Sequence, residues 1–290
     1  MSASRMDKYK SCHFSYFMRY GLKAEPRRPA GFTAPEYGTF VHYVLEHVFQ
    51  DPALLDPMSG QTVLPGMEGE EDRRGRLRAL TARAVERYVT EELGGLEGQS
   101  QRFQYLFRRL LRSVQAVVDN VADELAHSKF RPISFELGFG RDGDLPPVEL
   151  TVDGVTLSVT GFVDRVDGYV HDGKLYLRVV DYKTGRKSFD LTEVWNGLGL
   201  QMLLYLFTLE DRGQALYGLP VEGAGVLYLP AREAVVRGSR TMSGADWRKA
   251  VDRELTRSGL VLDDPLVLDA MESPGEGGYR FLPLRVSRAT

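Results

Sequence analysis

The sequence predicts an α/β fold in which a mixed central sheet is flanked by helices and preceded by a helical insertion. Helical segments fill roughly the first 127 residues, and five strand-like runs follow between 133 and 182. A long helix and a further strand then complete an order expected of an α/β core. Apolar residues make up 43% of the 290 positions and charged residues 27%, enough to build a sizeable core.

Ser4 to Tyr20 reads as a helical start, with Ser4 and Asp7 as a capping-box-like N-cap and Gly21 as a stop. Glu25 to Pro29, rich in Pro and Arg, is a loop. From about Pro35 to Phe49 a helix places Phe40, Val41, Val44, Leu45, Val48 and Phe49 at helical spacing. Residues 51–72 are rich in Gly, Pro and acids and read as a surface loop. Arginine-rich helices are expected at roughly 73–93 and 100–127, with a hinge at Gly94 to Gly98. Strands are expected at 133–139, 148–152, 155–160, 162–169 and 174–182, then a long helix over 191–209. A strand at 223–229 has a short partner at 233–237, and the tail from Met242 holds one helix before a Pro- and Gly-bearing stretch. There is no internal repeat. The expected organisation is a single domain: N-terminal helices over 1–50, a helical insertion over 51–130, a catalytic core over 131–240 and a tail over 241–290.

Composition excludes several classes. No apolar run reaches the roughly 18 residues that span a bilayer, and the Met1-Ser-Ala-Ser-Arg start lacks an apolar signal region, so a cytoplasmic protein is expected. The single cysteine, Cys12, excludes an intrachain disulfide and cannot by itself hold a zinc or iron–sulfur site. A Gly-x-x-x-x-Gly-Lys-Ser/Thr loop is absent, which excludes P-loop ATP hydrolysis. A net charge of −3 gives no global nucleic-acid signature. Locally the balance reverses: Arg73 to Arg112 contains ten arginines against four acids, a surface that could be merely solvated or could track phosphates.

Chemistry concentrates in one hairpin. Asp172-Gly173 is a strong two-residue turn signal, since both positions tolerate positive φ. With His171 facing Lys174, each step along one strand is matched by one along the other. Asp167 then falls opposite Arg178, a favourable pair, and Asp164 opposite Asp181. Two carboxylates so placed destabilise a plain sheet, whereas a shared divalent cation makes the pairing favourable. Lys183 projects from the same face as Asp181.

Gly161-Phe-Val-Asp164-Arg-Val-Asp167 followed by Val-Val-Asp181-Tyr-Lys183-Thr-Gly resembles the nuclease motif of the PD-(D/E)XK superfamily, in its RecB/AddB branch. Gly38-Thr-Phe-Val-His42 with Leu45-Glu46 resembles that branch's histidine helix, and Gln201-Met-Leu-Leu-Tyr205 its Gln-x-x-x-Tyr helix. The opening Ser2-Ala-Ser-Arg and Cys12-His-Phe-Ser-Tyr-Phe-Met-Arg-Tyr-Gly-Leu resemble the start of the AddB nuclease domain. The resemblance implies a restriction-endonuclease-like core. It implies Mg²⁺ or Mn²⁺ held by His42, Asp164, Asp181 and the Tyr182 carbonyl, with Lys183 orienting water and stabilising phosphate charge. Gln201 and Tyr205 would support the DNA side. Glu46, on the His42 face, and Glu136 are weaker candidates and are read as structural acids.

The resemblance further implies an exonuclease acting on single-stranded DNA with an AddA-type helicase–nuclease partner in double-strand-break repair by recombination. The family's 4Fe–4S cluster takes one cysteine from the N-terminal helix and three near the C-terminus. Cys12 matches the first and the others are missing, so no cluster is expected; the chain is expected to be truncated or to have lost it, leaving Cys12 a semi-buried thiol. The competing reading is a catalytically silent DNA-binding or helicase-docking module.

Overall fold

The computed structural model describes residues 2–25, 34–51, 70–97, 100–140, 142–239, 241–275 and 278–284. The loops expected at 25–29 and 51–72 fall largely outside these residues.

The N-terminal segment is not one helix. α1 (Ala3–Ser11) is capped by Ser2, whose hydroxyl accepts from the Arg5 amide, rather than by Ser4. Extended backbone at Cys12 ends it and starts α2 (His13–Tyr16), which passes into a π-helical turn over Phe17–Gly21. Cys12 is exposed rather than semi-buried, and its sulfur serves as the α2 N-cap. Three longer helices follow: α3 (Ala34–Phe49), α4 (Glu70–Glu91) and α5 (Gln101–Ala126). The apolar stripe of α3 packs on α4 and α5 through Phe40, Val44, Leu77, Phe107 and Val114.

β1 (Arg131–Phe139) is followed by a separate hairpin, β2 (Val148–Val152) with β3 (Val155–Val159). Then come β4 (Gly161–His171) and β5 (Lys174–Lys183). Their turn residues Asp172 and Gly173 have φ of 48° and 76°, as a type I′ turn requires. The expected register is present: Arg165 faces Val180, Asp167 faces Arg178, and His171 faces Lys174.

The expected helix over 191–209 is two helices. α6 (Leu191–Trp195) stops before Gly197 and Gly199, which take positive φ, and α7 (Gln201–Tyr217) runs on to a left-handed Gly218. Together they form the crossover that parallel pairing of β5 with β6 (Val221–Pro230) requires. The second partner of β6 is not 233–237, which forms no strand. It is β7 (Ser258–Val261), after α8 (Gly244–Leu255). Gly259 explains the choice, since a Cβ there would lie 2.0 Å from the Val226 carbonyl oxygen. α9 (Pro265–Met271), capped by Asp264, adds a second helix to the tail.

The main sheet runs β1-β4-β5-β6-β7. α7 covers one face through Leu177, Val179, Met202, Tyr205, Leu209 and Val226. On the other, Val180, Tyr182 and Leu229 meet α3 to α5, and Phe130 and Leu227 meet α9. Beneath that second face lies a buried ionic group. Asp167 pairs with Arg165 at 2.7 Å and Arg178 at 2.8 Å, and Glu124 pairs with Arg178 at 3.0 Å and Arg257 at 2.8 Å. Among the described residues, no helix is long and apolar enough to cross a membrane.

Candidate functional site

Acids gather at the open end of the hairpin. The β4–β5 ladder reaches Arg165 and Val180, and one further step brings Asp164 alongside Asp181. The Tyr182 amide donates to Asp164 Oδ2 at 2.6 Å, tying the strand ends together. On the other side of β4, the pairs Phe135–Arg165 and Leu137–Val163 bracket Glu136 beside Asp164. Three carboxylates therefore sit on three adjacent strands.

The electrostatics register that crowding. Burial, then the charge of Asp181, holds the Asp164 carboxyl well above the usual carboxylate range. Glu136 is pushed up to about 7 by burial, then by Glu46 and Asp181. Glu136 is a residue the sequence reading left as structural. Glu46, one turn beyond His42 on α3, stays outside the cluster and accepts from Gln50.

His42 reaches the same point from α3. Its Nε2 lies 3.0 Å from the Tyr182 carbonyl oxygen. A carbonyl only accepts, so Nε2 carries a proton. Burial lowers the His42 pKa, which favours neutral imidazole and leaves Nδ1 with a lone pair. That nitrogen is 3.5 Å from Asp164 Oδ1, and ligand atoms of His42, Glu136 and Asp164 all lie within 4.8 Å of one another. Lone pairs so converged repel each other, and a divalent cation turns the repulsion into coordination. Oxygens with one imidazole suit Mg²⁺ and, better, Mn²⁺. The residues fit such an ion.

Asp181 stands just outside that trio, its Oδ2 ion-paired with the Lys183 ammonium. Lys183 is partly exposed and lies over the Tyr228 ring, 5.8 Å from its centroid. The Tyr182 carbonyl, expected as a ligand, already accepts from His42 and keeps one lone pair.

Gln201 and Tyr205 share one face of α7, and the Gln201 amide donates to the Tyr205 hydroxyl at 3.3 Å. Tyr205 is buried and stacks on Phe139 with centroids 4.9 Å apart. Both border a hollow of about 500 Å³ with Phe139, Thr160, Gly161 and Phe162. Glycine at 161 is a packing requirement, because a Cβ there would lie 1.7 Å from the Tyr205 hydroxyl oxygen. Gly161→Ala is expected to cost about 1–3 kcal/mol through overpacking. In urea denaturation, adding Tyr205→Phe should recover part of that loss; equal midpoints for Gly161→Ala and wild type would refute the contact.

Three relatives, each named as the B component of an ATP-dependent helicase/deoxyribonuclease, align with nearly the whole chain. The protein of Clostridium novyi is 33% identical over 99% of this chain and 25% of its own length. That of Acetivibrio thermocellus is 32% identical over 99% and 24%, and that of Clostridioides difficile 29% identical over 97% and 23%. The chain thus spans about a quarter of the length of the curated relatives it matches. The model of the PD-(D/E)XK nuclease superfamily matches residues 1–271. With that match over most of its length, and Asp164, Asp181 and Lys183 at the end of one hairpin, the chain belongs to the PD-(D/E)XK nuclease superfamily.

Proposed function

We propose that this chain is a divalent-metal-dependent deoxyribonuclease that cleaves phosphodiester bonds exonucleolytically on a single strand of DNA. In this reading it works with an AddA-type helicase–nuclease partner in recombinational repair of double-strand breaks. The observation that carries the proposal is the row of acids Glu136, Asp164 and Asp181 across three strands, met by His42 from a helix and Lys183 from the strand end.

Asp164, Asp181, Glu136 and the His42 Nδ1 would hold Mg²⁺ or Mn²⁺, with the Tyr182 carbonyl as a further donor. When bound, the ion polarises a phosphoryl oxygen and makes water a stronger nucleophile at neutral pH. The Lys183 ammonium, on the same strand face as Asp181, positions the attacking water and offsets negative charge developing on the scissile phosphate. His42 fixes the Tyr182 backbone through its Nε2 proton and so holds the strand end that carries Asp181 and Lys183. Gln201 presents a polar edge to the adjoining hollow, and Tyr205 anchors it.

The test is end-labelled single-stranded and duplex DNA incubated with the protein and Mg²⁺ or Mn²⁺, with EDTA as control. Progressive shortening of the single strand, abolished by EDTA, is the expected result. Binding without cleavage in either metal would overturn the proposal and favour a silent DNA-binding module.

A further inference from the structure

Two hollows lie in succession on the Lys183 side of the reaction centre, the nearer lined by Lys183 itself and the farther joined to it through Arg232. The nearer, about 340 Å³, is lined by Lys183, Arg186, Lys187 and Tyr228. The farther, about 500 Å³, lies between the start of α4 and α8 and is lined by Arg73, Arg74, Arg78 and Trp247. Arg232 lines both. Together the linings hold eight lysine or arginine side chains and four acids, on a chain whose net charge is −3. The hollow on the Gln201 side has no lysine or arginine among its described lining residues. The charge is therefore directional.

We infer that these two hollows form one track that receives the single strand on the Lys183 side of the scissile bond, phosphates on the arginines and an unpaired base on Trp247. Glu254 accepts from Arg186 and Arg232, both at 3.2 Å, and sets the two guanidiniums side by side where the hollows meet. A guanidinium has five donors, and the Arg186 side chain is 78% exposed, so it can serve a phosphate while keeping Glu254. Trp247 is 53% exposed with its indole at the larger hollow, the combination of aromatic platform and basic groove that binds unpaired strands. The track also divides the arginine-rich segment: Arg73, Arg74 and Arg78 face it, whereas Arg83 and Arg87 line another hollow beside His47.

This inference rests on the nucleic-acid reading above, and its test does not require cleavage. Fluorescently labelled oligothymidylates of increasing length are titrated into the full chain in Ca²⁺, and the wild type is expected to gain affinity as strands lengthen. Trp247→Ala should weaken the longest strand about tenfold, in keeping with one lost stacked base, and Trp247→Phe should retain most of the affinity. Replacing Arg73, Arg74 and Arg78 by Ala should lower the salt slope by about 2, as expected for three lost phosphate contacts on a single strand. Arg78→Glu alone carries the test if the triple variant does not fold by circular dichroism. Unchanged affinity and slope would overturn the track, as would an equal loss for duplex, which has no unpaired base to stack. Failure of wild type to cleave in Mn²⁺ would instead count against the nuclease reading alone.

Discussion

Asp164→Asn is expected to abolish metal-dependent cleavage, by about 10³-fold or more, without lowering the stability of the metal-free protein. Asparagine can still accept from the Tyr182 amide through Oδ1, so the bond joining the strand ends survives. What disappears is a buried negative charge crowded by Asp181 and Glu136, whose effect is already visible in the raised Asp164 pKa. Such a charge is unfavourable to the metal-free fold and useful only to a cation. Thermal melts should therefore show wild type rising with added Mn²⁺, as linkage requires of a ligand bound by the native state, and the variant not rising. Lys183→Ala should differ: cleavage is lost, but the Mn²⁺-dependent rise remains because the donor set is intact. A metal-free Asp164→Asn protein melting several degrees below wild type would show that the chain itself satisfies this carboxylate.

How far the sequence specifies this site depends on loop length. A two-residue turn leaves no freedom of register, so Asp172-Gly173 is enough to bring Asp164 to Asp181 and Asp167 to Arg178. The β1–β4 pairing has no such local signal. The β2–β3 hairpin intervenes, and a register shift between Pro132 and Ser134 breaks any simple count. Glu136 consequently stays a weak candidate until β1 is placed beside β4. The missed partner of β6 has a similar cause: β7 lies beyond α8, and the cue is a single glycine at 259 that tolerates close backbone approach. His42 was legible only by resemblance, since nothing in the periodicity of α3 says that its half-buried face looks at the Tyr182 carbonyl. The break between α6 and α7 was readable in principle from Gly197 and Gly199, but the apolar periodicity on either side masks it.

The other large effect should come from Glu124, far from any substrate. It lies on α5 among Arg165, Arg178 and Arg257, all buried, and with Asp167 it leaves the group with three positive charges to two negative. Arginine does not shed its proton to relieve an imbalance. Glu124→Gln would leave three buried guanidiniums facing one carboxylate, and the expected destabilisation is about 3–5 kcal/mol, read from the urea midpoint at unchanged slope. The pH dependence gives this prediction a signature that a packing defect lacks. Burial alone would raise the Glu124 pKa, but Arg257, Arg178 and Arg165 outweigh it and hold the carboxyl at about 2. A depressed folded-state pKa contributes stability fully above the unfolded value of about 4.5, and that contribution is lost as pH falls towards 2. Wild type and Glu124→Gln should therefore be furthest apart near neutrality and converge through the acid range, whereas a gap that stays constant from pH 7 to pH 3 would assign the loss to shape rather than charge. Because Arg165 adjoins Asp164 in β4 and pairs across to Val180, next to Asp181, the same variant should also bind Mn²⁺ more weakly at neutral pH.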